Sequence, residues 1–193
     1  MLTLLLFGFA LGPDAEALQS AAAGILWLTI LFSGVLAFNR SYQLELEGGA
    51  LDALLLYPGD RRAIFAGKLL ANLVFILLVE VVMLPAAAAL YHLPVGRHFL
   101  ALGALLAGGT VGFVALGTFY AAMASRVRAR EVLLPLLLFP MLIPLLLACV
   151  EGTAAILVGD PMGDAGSWVR LVLVFDIVFV TATFFAYEFI IEE

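Results

Sequence analysis

The chain has 193 residues, 65% of them hydrophobic and only 12% charged, with a formal charge of −6 and a mean hydropathy of +1.17. A soluble domain is nearer half apolar and a quarter charged, and so short a chain has too little interior to hide the surplus. A soluble domain and a disordered chain are therefore excluded, and lipid is the solvent. The acidic balance excludes nucleic acid, whose phosphates need basic patches. Cys149 is the single cysteine, so no internal disulfide and no covalent c-type haem attachment exist. With two histidines beside it, no structural metal site is expected.

The expected fold is all-α, a polytopic membrane helix bundle. Backbone in lipid must bond within its own segment, and nothing here alternates like a barrel strand. The first apolar run, Met1 to Leu11, is only half a span and stops at the turn Gly12-Pro13-Asp14. It has three readings: a signal peptide cut near Ala15-Glu16-Ala17, a genuine half-span, or a displaced start of a longer natural chain. No Lys or Arg precedes the apolar run, which disfavours the signal peptide; the displaced start is preferred.

Complete spans are expected at 17–38, 63–90, 98–124, 132–150 and 169–191. Between the first two lies a long loop, 39–62. Gly48-Gly49 and Pro58-Gly59-Asp60 break helix there and bracket a short helix with Leu51, Leu54 and Leu55 on one face. A two-turn helix is unstable alone in water and must dock. Its acidic flank, Glu45, Glu47 and Asp52, disfavours anionic lipid and fits a partner protein with an apolar and basic groove. The bland alternative is a loop resting on its own bundle. Gly67-Lys68-Leu69 fails as a phosphate loop, because Arg62 stands where a Gly is needed and Leu69 where Ser or Thr is needed. Any ATP chemistry must come from a partner.

The span 63–90 carries Glu80, and 169–191 carries Asp176. Each lies about 5–6 Å outward of its span centre, so one shared polar layer is expected; the alternative is two carboxyls bonded separately to backbone or hydroxyl groups. In 98–124, Ala104, Gly108 and Gly112 repeat on one face and suit close helix contact, internal or between copies. Pro135, Pro140 and Pro144 bend the span 132–150, as a hinge or as a curved packing helix. The segment 151–168, rich in Gly and Asp, is expected to be a re-entrant or surface segment outside. His92 and His98 flank the external turn at 93–97 and are read as solvated rather than as ligands.

Arg40, Arg61, Arg62, Lys68, Arg126, Arg128 and Arg130 fall on one side, and Arg97 and Arg170 on the other. The basic excess marks the cytosolic side. Tyr42, Tyr57, Tyr120 and Tyr187 belong to its interfacial belt, while Trp27 sits mid-span as a packing residue.

Four stretches then share one likeness: Gly49-x-Leu51-Asp52-x-Leu54 closing at Pro58; Ile64-Phe65-Ala66-Gly67-Lys68-Leu69-Leu70-Ala71-Asn72; Arg128-Ala129-Arg130-Glu131-Val132-Leu133-Leu134-Pro135; and Phe175-Asp176-Ile177-Val178-Phe179 through Glu188 to Glu193. From about Leu11 to the end the sequence resembles CcmB, the haem exporter protein B family of cytochrome c maturation. The loop motif occurs across exporter-type ABC permeases; the arginine-proline stretch with the ending is more specific. Two features depart from the family pattern: the first span is cut short, and Asn39 stands where an acidic residue is usual.

The resemblance implies a single permease domain over 1–193 with six transmembrane helices, the first truncated here, and no catalysis of its own. It implies an ATP-hydrolysing partner, CcmA, docked on Glu45, Glu47, Leu51, Asp52, Leu54, Leu55, Arg61, Arg62, Arg128 and Arg130. It further implies a homodimer, the subunits CcmC and CcmD, and the haem chaperone CcmE. Haem would be the substrate of the complex, with no cofactor bound by this chain alone. The location would be the bacterial cytoplasmic membrane, with both termini of the full-length protein cytosolic. The output is haem export or release of the haem-loaded chaperone; the alternative is a permease for a lipid or drug.

Overall fold

The computed structural model describes residues 2–12, 14–47, 61–125, 130–159 and 164–191. Among these every regular element is helical: α1 Leu2–Leu11, α2 Ala15–Glu47, α3 Arg61–Tyr91, a 3₁₀ turn Val95–Arg97, α4 Phe99–Ser125, α5 Arg130–Val158 and α6 Asp164–Ile191. Helices α2 to α6 are each long and apolar enough to cross a membrane. The chain is a multi-pass membrane protein.

Local chemistry sets the helix ends. Asp14 Oδ1 accepts hydrogen bonds from the amides of Glu16 (3.0 Å) and Ala17 (3.4 Å), capping α2. At the end of α3, His92 takes a left-handed φ of 52°, and the Leu93 amide donates back to the Ala88 carbonyl at 3.2 Å. That pattern closes the helix as a Schellman turn does, a place where Gly is usual. His92 is thus a helix-ending residue with an exposed side chain.

Two expected loops are partly helix. The segment 39–62 was expected to leave the bundle at Asn39, but α2 continues to Glu47. No breaker occurs before Gly48, and Tyr42 is buried, which holds the extra turns against the bundle. The segment 151–168 is helix at both ends: α5 continues to Val158 and α6 starts at Asp164. Thr153 and Ile156 are buried, and Gly152 lies against Leu105 and Trp168. Glu151 marks a drop in hydropathy, not a helix end; Gly159, with φ +99°, follows the real one.

Helix α4 is the hub. It packs on α2, α3, α5 and α6, and its charge-free, Gly-rich sequence lets all four approach. A Cβ at Gly109 would strike Cys149 and Trp27, and one at Gly112 would strike Asp176. The expected small-residue face is therefore an internal contact with α6 at Gly108 and Gly112, while Ala104 is exposed. Trp27 is buried, and its Nε1 donates to Thr153 Oγ1 at 3.0 Å, tying α2 to α5. Helix α1 lies on α2 and α3, where the buried Tyr91 hydroxyl donates to the Leu4 carbonyl at 2.6 Å.

Pro135, Pro140 and Pro144 all lie inside the continuous α5. The buried face of α5 carries Leu134, Leu138, Leu142 and Leu145, whereas Pro140 and Pro144 are exposed. The hydrogen bonds they remove are on the outer face, so α5 is free to curve around the core.

Candidate functional site

The polar residues inside the bundle follow one register. Helices α3 and α4 run antiparallel, and two side-chain pairs bind them: the Thr110 hydroxyl donates to Glu80 Oε1, and Asn72 Nδ2 donates to Thr118 Oγ1 at 3.0 Å. Glu80 and Asn72 are two steps of four apart, as are Thr110 and Thr118. The intervening positions, Ile76 and Val114, are fully buried. Residues four apart share a helix face, so an apolar rung separates two polar ones. Each buried polar group has a partner across the seam, which offsets the cost of holding it in an apolar medium.

Asp176 reaches α4 from the opposite side. Its Oδ1 lies against Gly112, buried and without a hydrogen-bond partner among the described residues. Thr110 and Gly112 are separated by about 200° around α4 and about 3 Å along it. The two acids thus share a depth, but α4 stands between them and they do not face one another. Glu80 has a hydroxyl partner, the separate bonding that was the alternative to a shared layer. Cys149 of α5 is fully buried against Gly109 and is an electrostatic neighbour of both carboxyls.

A second constellation holds the ends of α2, α3 and α6 together. Lys68 is buried; its Nζ donates to the Ser41 carbonyl at 3.5 Å and lies 3.9 Å from the Tyr42 ring centroid. A desolvated ammonium is costly, and a carbonyl with an aromatic face compensates it. On the same helix, the Arg62 guanidinium lies 5.2 Å from the Phe185 ring centroid, and the Phe65 ring lies 4.7 Å from that of Tyr187. The two helices that enter and leave residues 48–60 are therefore tied to each other, and α3 is tied to α6.

The expected docking residues divide by position. Leu51, Asp52, Leu54, Leu55 and Arg128 lie outside the described residues. Glu45 and Glu47 occupy the last turn of α2, Arg61 opens α3 and Arg130 opens α5 as backbone positions. Arg62 is the member of that set whose side chain is placed, on the α3–α6 junction. Sequence reasoning missed Thr110 and Thr118, met Asn72 only within a family-like stretch, and read Lys68 as a topological charge and as part of a failed phosphate loop, not as a buried contact. The matched spacing of Asn72 with Glu80 and of Thr110 with Thr118 was the available signal. Among the described residues no group of three His, Cys, Asp or Glu could hold a metal.

A family model described as CcmB protein matches residues 1–192. Among curated relatives, the chain is similar to heme exporter protein B of Rhodobacter capsulatus, 36% identical over 151 residues, covering 78% of this chain and 69% of the relative. It is similar to the protein of the same name from Paracoccus denitrificans, 35% identical over 155 residues, with 80% and 71% covered. The Pseudomonas aeruginosa counterpart is 29% identical over 167 residues, with 86% and 74% covered.

Proposed function

This chain belongs to the CcmB family, and from that premise we propose that it is the transmembrane subunit of a haem-exporting ABC transporter in the bacterial cytoplasmic membrane. The observation that carries the reading is the whole-length family match, together with relatives named heme exporter protein B. In this reading the chain performs no hydrolysis, and a separate ATPase subunit, CcmA, supplies the energy. The basic excess faces the cytosol, and 48–60 with the adjoining helix ends is the docking segment.

The junction geometry supports a transmitting role. A load applied to 48–60 reaches α2 and α3 together, because Lys68 bridges to Ser41 and Tyr42. It reaches α6 through Arg62 and Phe65. A bundle tied in this way moves as a unit rather than as separate helices. CcmC, CcmD and the chaperone CcmE complete the proposed assembly, with a second copy of this chain across from the first. Haem is its substrate, exported or handed on with the chaperone.

The test is co-purification of the tagged chain with the ATPase subunit. Leu51→Asp, or charge reversal at Arg128 and Arg130, is expected to abolish the association while the chain still inserts and purifies. Intact association in both variants overturns the docking role. Normal c-type cytochrome formation in cells lacking the chain overturns the haem role separately.

A further inference from the structure

Between α2 and α3 runs an open groove of about 600 Å³. Its apolar walls are Leu36, Ala37, Phe75 and Val79; Arg40 and Ser41 lie at one end, and Ser33 and Asn72 also line it. Arg40 is exposed and, among the described residues, is the only charged one lining the groove. The nearby Lys68 ammonium is held by the Ser41 carbonyl and the Tyr42 ring, and the exposed guanidinium is the cation that faces the groove.

We propose that this groove is a binding site for one anionic phospholipid, with an acyl chain against Leu36 and Phe75 and the phosphate on Arg40 and Ser41. Three observations carry it. First, the groove opens sideways from two membrane-spanning helices, and Leu36 and Phe75 are exposed toward the surrounding lipid. Second, its depth fits. Arg40 lies two residues past Phe38, where the apolar run of α2 ends. Arg40 then stands at headgroup height, where basic pockets between helices select acidic lipids. Third, the lining excludes the other amphiphilic anion that the proposed function brings to mind. A haem would place its carboxylates on Arg40 equally well, but among the described residues no His, Cys, Met or Tyr lines the groove to ligate its iron.

A lipid here bears on the junction as well. Ser41 both lines the groove and supplies the carbonyl that holds Lys68. An occupied groove therefore props α2 against α3 beside the segment 48–60.

The experiment uses the full chain alone in detergent micelles, so that association with an ATPase plays no part in the result. Native mass spectrometry counts phosphatidylglycerol and phosphatidylcholine retained when both are supplied in equal amount. One phosphatidylglycerol per chain is expected, preferred about tenfold, because both lipids offer a phosphate to Arg40 but the choline cation of phosphatidylcholine cancels the net charge and is repelled there. Arg40→Gln is expected to erase the preference and Arg40→Lys to keep most of it. Ala71→Trp, which fills the groove and leaves Arg40 in place, is expected to lose the bound lipid; it also serves if Arg40→Gln fails to purify. Equal retention of the two lipids overturns the proposal, as does a preference that survives Arg40→Gln. Displacement of phosphatidylglycerol by hemin, one for one, overturns it in favour of a tetrapyrrole site.

Discussion

The two faces of α4 show how one helix meets two neighbours by opposite chemistry. Toward α3 the contact is polar and in register: Thr110 on Glu80 and Thr118 on Asn72, with Val114 and Ile76 between. Toward α6 it is steric, with Gly108 and Gly112 clearing space for Val172, Phe175 and Asp176. Helix–helix association in lipid has no hydrophobic driving force and rests on close packing and interhelical hydrogen bonds. Here the two contributions are sorted by face. The difference also separates the acids. Glu80 has its hydrogen bond supplied, whereas Asp176 is admitted only by the missing side chain of Gly112.

The steric face breaks most sharply. At Gly112 an added Cβ would meet Asp176, with Phe175 at 3.1 Å and Leu145 at 3.2 Å also in the way. Gly112→Leu is expected to push α6 off the bundle and to leave little monodisperse protein on size-exclusion chromatography. At Gly108 the added Cβ meets only Val172 Cγ1 at 3.5 Å, an ordinary contact. Gly108→Ala is therefore expected to elute and melt like the parent, and equal damage from the two would refute the steric account. On the polar face, Thr110→Val removes the donor and leaves a buried carboxyl unpaired. The expected cost is about 1–3 kcal/mol, read from thermal unfolding in detergent. Thr110→Ser keeps the hydroxyl and is expected to recover most of it.

How far these contacts were legible depends on their range. The all-helical membrane bundle and its five complete spans followed from runs of apolar residues, because lipid leaves the backbone no other choice. The depth of Glu80 and Asp176 followed from helical rise. Their azimuth did not, because no single span reveals that α4 stands between α3 and α6. The ends of α2 and α5 were misjudged for a related reason. Hydropathy reports where lipid stops, whereas helix stops at a breaker, and Gly48 and Gly159 lie well beyond the apolar limits. Lys68 is a third case. Its charge was read as a cytosolic marker, but its burial against Tyr42 requires α2 to extend past its apolar run.

That last contact supplies a smaller test, in which the junction is compared with the bundle interior. Lys68→Met keeps the stem and removes the ammonium. Loss of a partly desolvated cation–π contact is expected to cost about 0.5–2 kcal/mol. Because the junction lies at the helix ends, the variant is expected to raise protease sensitivity near 48–60 more than it lowers the melting temperature. A uniform fall in melting temperature with no local change would place Lys68 in the general packing instead.

The smallest expected effect is a coupling close to zero, and it bears directly on the two acids. Glu80→Gln keeps an acceptor for Thr110, so its own cost is expected to be small. Asp176→Asn removes the charge from a carboxyl whose buried Oδ1 has no hydrogen-bond partner among the described residues, and is expected to leave stability unchanged or raise it slightly. If α4 isolates the two sites, they share no hydrogen-bond partner, and the double variant should equal the sum of the singles within about 0.5 kcal/mol. Facing carboxyls would behave differently: neutralising either would relieve the other, and the double variant would gain less than the sum. The same cycle read in c-type cytochrome formation separates structure from transport. Additive stability with non-additive activity would mean that the acids meet in a conformation other than this one, which requires α4 to turn or withdraw between them. Additivity in both readouts leaves each acid with a separate task on its own face of α4.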